Sequence, residues 1–233
     1  MPSPRLAGWL DAALVIAVLG AIVSAGGTAD WNAPVHYVAK PLATGLVLLI
    51  AARATPPISA RYRRLVSIGL VCSLIGDVLL MLPADRFAAG LAAFLVAHLC
   101  YLGAFLGESR LGAKPIALIG YALVAVSLFA SIQPGLPAAL RWPVIVYVVV
   151  ITLMAAQAAT WMLSTPSDSS RRAAIGAAWF LVSDATLAIA RFRTEIPARD
   201  LVVLGTYYLA QWCIARSVSG ARARAASASG VEP

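Results

Sequence analysis

Charge is scarce in this chain. Only 12% of its 233 residues are Asp, Glu, Lys or Arg, against about 25% in an ordinary soluble domain. Histidine is scarcer still, with only His36 and His98. A zinc centre of the hydrolytic kind wants about three His, Asp or Glu ligands, so no metal site is expected. The three cysteines, Cys72, Cys100 and Cys213, all fall in apolar stretches and none belongs to a CxxC pair. That excludes a disulfide framework and a thiolate cluster, and leaves buried, reduced thiols as the expectation. There is no GxSxG elbow, no Ser-His-Asp set that spacing can justify, and no phosphate-binding loop.

Apolar sequence is abundant instead. Hydrophobic residues make up 61% of the chain and the mean hydropathy is +0.85. Runs long enough to cross a bilayer recur from end to end. Eight spans are expected: Trp9–Ala25, His36–Ala52, Leu65–Leu82, Phe87–Leu106, Ile116–Ile132, Trp142–Leu163, Ala173–Ala190 and Leu201–Ser217. Short connections carry the breaker residues, among them Thr55-Pro56-Pro57, Gly112-Ala113-Lys114-Pro115 and Pro134-Gly135-Leu136-Pro137. No polar mature domain follows the first run, so it reads as a helix and not as a cleaved signal. The expected fold is all-α: a polytopic membrane protein, a single bundle of eight transmembrane helices over residues 1–217. Residues 218–233, rich in Ala, Ser, Gly and Arg, are expected to form a disordered cytoplasmic tail.

The net charge of +8 sits in short loops, which points to topology signalling and away from nucleic acid. With the N-terminus in the cytoplasm, inside segments carry twelve Lys and Arg and outside loops carry five. Both termini are therefore expected to be cytoplasmic. The expected location is a bacterial cytoplasmic (inner) membrane, crossed many times.

Against this background a few polar residues stand out. Asp77 and Asp184 lie deep inside spans three and seven. A carboxylate near the bilayer centre costs about 2.5–3.5 kcal/mol on insertion scales, so each needs a partner, a proton or water. At about 1.5 Å per helical residue, Lys40, Asp77 and Asp184 fall roughly 6–9 Å from the outer ends of their spans, with Tyr207 and Tyr208 at similar depth. One polar layer could hold them all. Lys40 pairs with a carboxylate or an anionic ligand, or else snorkels to the headgroups. His98 is either part of the site or a hydrogen-bonded core histidine. Tyr101, Tyr147, Tyr207 and Tyr208 are either site residues or packing aromatics, and Gln157 and Gln211 can bridge helices. Asp11 reads as a helix-start residue. Two carboxyls in one low-dielectric pocket can divide general acid and general base work between them, which suits chemistry through an oxocarbenium-like species.

The order and spacing of these residues resemble the YhhN family of membrane lysoplasmalogenases. The resemblance runs through Lys40-Pro41-Leu-Ala-Thr44, then Gly69-Leu70-Val-Cys-Ser73-Leu-Ile-Gly76-Asp77, then Phe94-Leu95-Val-Ala-His98-Leu-Cys-Tyr101. It continues through Gly176-Ala177-Ala-Trp-Phe180-Leu-Val-Ser183-Asp184 and Tyr207-Tyr208-Leu-Ala-Gln211. The resemblance implies an eight-helix ether hydrolase of lipid metabolism. It would cleave the vinyl ether bond of lysoplasmenylcholine or lysoplasmenylethanolamine to a fatty aldehyde and glycerophosphocholine or glycerophosphoethanolamine. It also implies that no metal or organic cofactor is expected and that Asp77 and Asp184 are the catalytic pair. Lys40, Thr44, Ser73, His98, Tyr101, Ser183, Tyr207, Tyr208 and Gln211 would support them or touch a lysophospholipid substrate, supplied by membrane lipid. Lys40 could ionise one aspartate or bind the phosphodiester. His98, Tyr101, Tyr208 and Gln211 would orient water or the glycerol backbone.

A competing reading uses the same Asp, Lys and His residues as the proton relay of a small-molecule or lipid transporter. Helices broken at mid-membrane would favour it, and Pro41 with Gly45 is where span two could break. A Schiff base on Lys40 is a third reading.

Overall fold

The computed structural model describes residues 4–25, 32–82 and 86–220. Eight α-helices follow one another: α1 (Pro4–Ala25), α2 (Asn32–Ala52), α3 (Ala60–Met81), α4 (Phe87–Phe105), α5 (Pro115–Ile132), α6 (Ala138–Ser164), α7 (Asp168–Phe192) and α8 (Arg199–Ser217). Most start later or end earlier in hydropathy than in structure. The Arg61, Arg63 and Arg64 turn of α3 is helical although it is too polar to be read as a span. Ser59 caps it, accepting from the Tyr62 backbone N–H at 3.0 Å. Ser167 and Ser170 form a reciprocal capping box at the start of α7, and Pro115 opens α5 where its missing N–H does no harm.

The surface is inside out relative to a soluble protein. Ile16 is 71% exposed and Leu123 is 65% exposed, whereas Lys40, Asp77, His98, Gln157 and Gln211 are buried. Apolar residues on the outer surface, with the few polar ones gathered inside a mostly apolar core, are what a membrane bundle requires, because the hydrocarbon offers no hydrogen bonds. Seven helices, α1 to α7, are long and apolar enough to cross. The eighth expected span is a helix but falls outside that group, since α8 carries Asp200, Thr206, Tyr207, Tyr208, Gln211 and Arg216. The reason is packing: α8 is wrapped by α7, α2, α1 and α3, and needs little lipid-facing surface.

Sequential helices pair as α1/α2, α3/α4, α5/α6 and α7/α8, and α6 links α4 to α7. Small residues allow the closest approaches. A Cβ at Gly76 would stand 2.6 Å from the Phe94 ring, and one at Gly176 would stand 2.8 Å from the Ala210 carbonyl oxygen. Helix α5 is peripheral; it packs on α6 and grazes α7. Gln157 bridges α6 to the chain after α4, donating to the Ser109 carbonyl and hydroxyl at 2.8 Å each.

Two expectations change. Asp11 is not a helix-start residue, because α1 begins at Pro4. It ties α1 to α8 by accepting from the Trp212 indole at 3.0 Å and by pairing with Arg216. Residues 221–233 of the expected tail lie outside the described residues. The first three residues assigned to that tail, Val218–Gly220, run antiparallel to Pro56–Ile58, with Ile58 N–H donating to Val218 O and Gly220 N–H donating to Pro56 O, both at 2.9 Å.

Candidate active site

Asp77 is held on every side. It is 1% exposed, and its Oδ1 lies 3.4 Å from the Lys40 ammonium. Its Oδ2 accepts from the Thr44 hydroxyl at 2.6 Å and from the Tyr207 hydroxyl at 2.7 Å. Lys40 and Thr44 sit one turn apart on α2, so both face α3. Lys40 is only 8% exposed, so it is paired with a carboxylate and does not snorkel. Pro41 cannot donate a backbone hydrogen bond, yet α2 runs through it unbroken. Tyr208 steadies this turn from α8 by donating to the Lys40 carbonyl at 2.8 Å.

Side chains behind it fix the Tyr207 hydroxyl. Gln211 Nε2 donates to it at 3.0 Å, and Gln211 Oε1 accepts from the Tyr101 hydroxyl at 2.9 Å. With its hydrogen committed to Gln211, Tyr101 accepts from Ser73 at 3.3 Å. The chain Ser73–Tyr101–Gln211–Tyr207–Asp77 therefore has one consistent direction of donation.

Asp184 has a different setting. The Tyr147 hydroxyl donates to its Oδ2. His98 Nε2 lies 3.2 Å from the same oxygen and 2.9 Å from the Tyr147 hydroxyl. Since the Tyr147 hydrogen points at Asp184, the hydrogen between His98 and this pair belongs to Nε2. His98 Nδ1 is buried with no hydrogen-bond partner among the described residues, which fits the Nε2–H tautomer. The Phe180 edge packs on the His98 ring at 4.6 Å. The Asp184 side chain is 18% exposed, and its Oδ1 has no partner among the described residues.

Both carboxylates line one cavity. Lys40, Asp77, Tyr147, Ser183, Asp184 and Tyr207 supply its polar wall. The rest is apolar: Leu80, Leu91 and Phe94 from α3 and α4, Leu128 and Ile132 from α5, and Val148 and Ile151 from α6. The expected layer of Lys40, Asp77, Asp184 and Tyr207 thus shares one space. Thr44, Ser73, His98, Tyr101, Tyr208 and Gln211 do not line it. They stand behind the lining residues and reach them directly or through one another by hydrogen bonds. Ser183 lines the cavity but spends its hydroxyl on the Val203 carbonyl at 3.0 Å, clasping α7 to α8. Tyr147 is the residue that sequence reasoning undervalued as a packing aromatic. A tyrosine within an apolar helix carries no signal of its partner 37 residues away.

The site therefore belongs to a polytopic membrane protein with a buried two-carboxylate pocket. No group of three or more His, Cys, Asp or Glu side chains that could hold a metal occurs among the described residues. The pattern of residues 35–218 matches the YhhN family, and the chain belongs to that family. Relatives include lysoplasmalogenase TMEM86A of Homo sapiens, 33% identical over 66% of this chain and 65% of that protein. The Bos taurus lysoplasmalogenase TMEM86A is 32% identical over 78% of this chain and 72% of that protein. The membrane protein YhhN of Escherichia coli O157:H7 is 29% identical over 78% of this chain and 86% of that protein. The matched stretch is just under two thirds of the Homo sapiens protein. No solved structure matches the chain.

Proposed function

We propose that this protein is a lysoplasmalogenase that hydrolyses the vinyl ether bond of a lysoplasmalogen by aspartate acid and base catalysis. The observation that carries the reading is the pair Asp77 and Asp184 on one largely apolar cavity. The names of the mammalian relatives supply the reaction, and the cavity suits it. Lysoplasmenylcholine and lysoplasmenylethanolamine are the proposed substrates, drawn from membrane lipid.

A vinyl ether hydrolyses through protonation of its β carbon. Asp184 is the proposed proton donor, because its carboxyl lines the cavity and its Oδ1 has no partner among the described residues, while Tyr147 and His98 hold Oδ2. The carbon–carbon π pair takes the proton, and the α carbon and ether oxygen become an oxocarbenium ion. Asp77, with Lys40 and two hydroxyl donors around it, stabilises that cation and accepts a proton from the attacking water. The hemiacetal then loses its hydroxyl proton to a carboxylate. The C–O bond to glycerol breaks, the leaving oxygen takes a proton from a carboxyl, and aldehyde and glycerophospho-alcohol result. The alkenyl chain lies along the Leu128, Ile132, Val148 and Ile151 wall.

The same reading places both termini in the cytoplasm by the excess of arginine there, residues 1–217 in one catalytic bundle with α8 as its eighth crossing, and the protein in a bacterial inner membrane. The cavity then opens toward the outer face, beside the ends of α3 and α7. Unbroken α2 removes the feature that would have favoured a transporter.

The test is aldehyde release by purified protein offered lysoplasmenylcholine, lysoplasmenylethanolamine and their saturated ether analogues. Wild type should release aldehyde from the vinyl ethers alone, and Asp77→Asn and Asp184→Asn should each lose it with the fold intact. Full activity in both variants would sink the mechanism.

A further inference from the structure

A second, more polar cavity adjoins the first at the end of the bundle. Lys40, Leu80, Phe87, Leu187, Val203 and Leu204 line both, so the two spaces lie on either side of one shared layer of side chains, the throat. The outer space has a different character. Arg86, Arg191 and Arg199 line it together with Lys40 and His36, and Asp200 is the acidic lining residue among the described residues. These arginines come from three elements distant in sequence: the start of α4, the end of α7 and the start of α8.

Their placement is specific. The Arg191 guanidinium sits 5.1 Å from the centre of the Phe87 ring, and Phe87 forms part of the throat. Arg199 is oriented by Asp200, with Nε and Nη2 at 3.1 and 3.0 Å from Oδ1. Lys40, on the shared wall, is already engaged by Asp77. An anion in the outer cavity joins this network of guanidinium groups, of which Arg191 and Arg199 already have partners of their own and whose fork geometry suits phosphate oxygens.

We propose that this vestibule is the headgroup subsite of the protein. It binds the phosphodiester of a single-chain glycerophospholipid through Arg86, Arg191 and Arg199. The chain enters the apolar cavity, and one glycerol unit spans the throat. The assignment rests on the lysoplasmalogenase reading for the identity of the lipid. It explains why a cavity with so apolar a wall opens through a cluster of cations: the ligand is apolar at one end and anionic at the other. It also removes the phosphodiester from Lys40 and gives it to the arginines.

Binding in phospholipid-free detergent tests this directly. The probes are a saturated 1-O-alkyl-glycerophosphocholine, inert to vinyl ether hydrolysis, and the 1-O-alkylglycerol that lacks phosphate. Wild type should bind the phosphate-bearing lipid at least ~10-fold more tightly, as expected for charge-assisted contacts. Arg86→Gln/Arg191→Gln and Arg199→Gln should shrink that preference, and Arg191→Lys should retain part of it. Arg141→Gln removes a charge that does not line the vestibule and should change nothing. Equal binding of both lipids by wild type, or a preference untouched by the vestibule variants, overturns the subsite. Glycerophosphocholine should compete better than inorganic phosphate; the reverse order would make the site one for a free anion and overturn the lipid assignment. Aldehyde release is read separately. Phosphate preference without hydrolysis of any vinyl ether keeps the subsite and sinks the enzymatic reading. Hydrolysis without phosphate preference does the opposite.

Discussion

Replacing Lys40 with Met tests how the bundle tolerates its buried charge. The Lys40 ammonium lies 3.4 Å from Asp77 Oδ1, with side chains 10% and 2% exposed. At that separation and an effective dielectric of ~20, the Coulomb attraction is about 5 kcal/mol. Part of it is offset by the desolvation of both ions, and breaking such a pair from one side typically costs about 3–5 kcal/mol. Met keeps the length and apolar stem of Lys, so packing changes little. What is lost is the cation facing Asp77, which is left with the hydroxyls of Thr44 and Tyr207. Lys40→Met should therefore lower unfolding stability in detergent by about 3–5 kcal/mol. Asp77→Asn should show a similar loss, because it strands the lysine. The double variant Lys40→Met/Asp77→Asn removes both charges and should return to within about 1 kcal/mol of wild type, or above it. Its aldehyde release should still be absent, which separates folding from chemistry. A coupling below about 0.5 kcal/mol in the double-mutant cycle would refute the pairing. It would mean that Lys40 reaches the vestibule and leaves Asp77 to its hydroxyl donors.

Tyr147→Phe keeps the ring against His98 but removes the donor to Asp184. Aldehyde release should fall about 10–100-fold, the size expected for one hydrogen bond to a charged group, with the melting temperature nearly unchanged; wild-type turnover would show that Asp184 is positioned by something else. Gly176→Ala would press a methyl group on the Ala210 carbonyl. It should destabilise the α7/α8 pair by about 1–3 kcal/mol in an unfolding titration, and an unchanged midpoint would contradict the close packing. Gln157→Leu loses both bonds to Ser109. It should cost about 1–3 kcal/mol of stability while KM for a vinyl ether substrate stays the same, since Gln157 is remote from the cavity lining.

The all-helical membrane bundle was legible because hydrocarbon imposes a strict length and apolarity on each crossing. The exception is instructive. Helix α8 was found as an apolar stretch, yet its polar side chains make sense only once α1, α2, α3 and α7 surround it. Asp11 was misread for the same reason. Its partners Trp212 and Arg216 lie about two hundred residues away along the chain, and no local rule connects them.

The sequence by itself determined that Asp77, Asp184 and Lys40 needed partners, because burying an ionisable group in an apolar helix is costly wherever the fold places it. It also determined their depth, which follows from counting residues along a helix of fixed rise. Only the tertiary structure decided which partners they have. Rotation of each helix about its axis is set by packing against its neighbours, and hydropathy does not record it. That rotation gives Lys40 to Asp77 and Tyr147 to Asp184. It turns His98, Tyr101 and Gln211 into supports behind the wall. It also gathers Arg86, Arg191 and Arg199, which the sequence scatters among separate loops, at the mouth of one cavity.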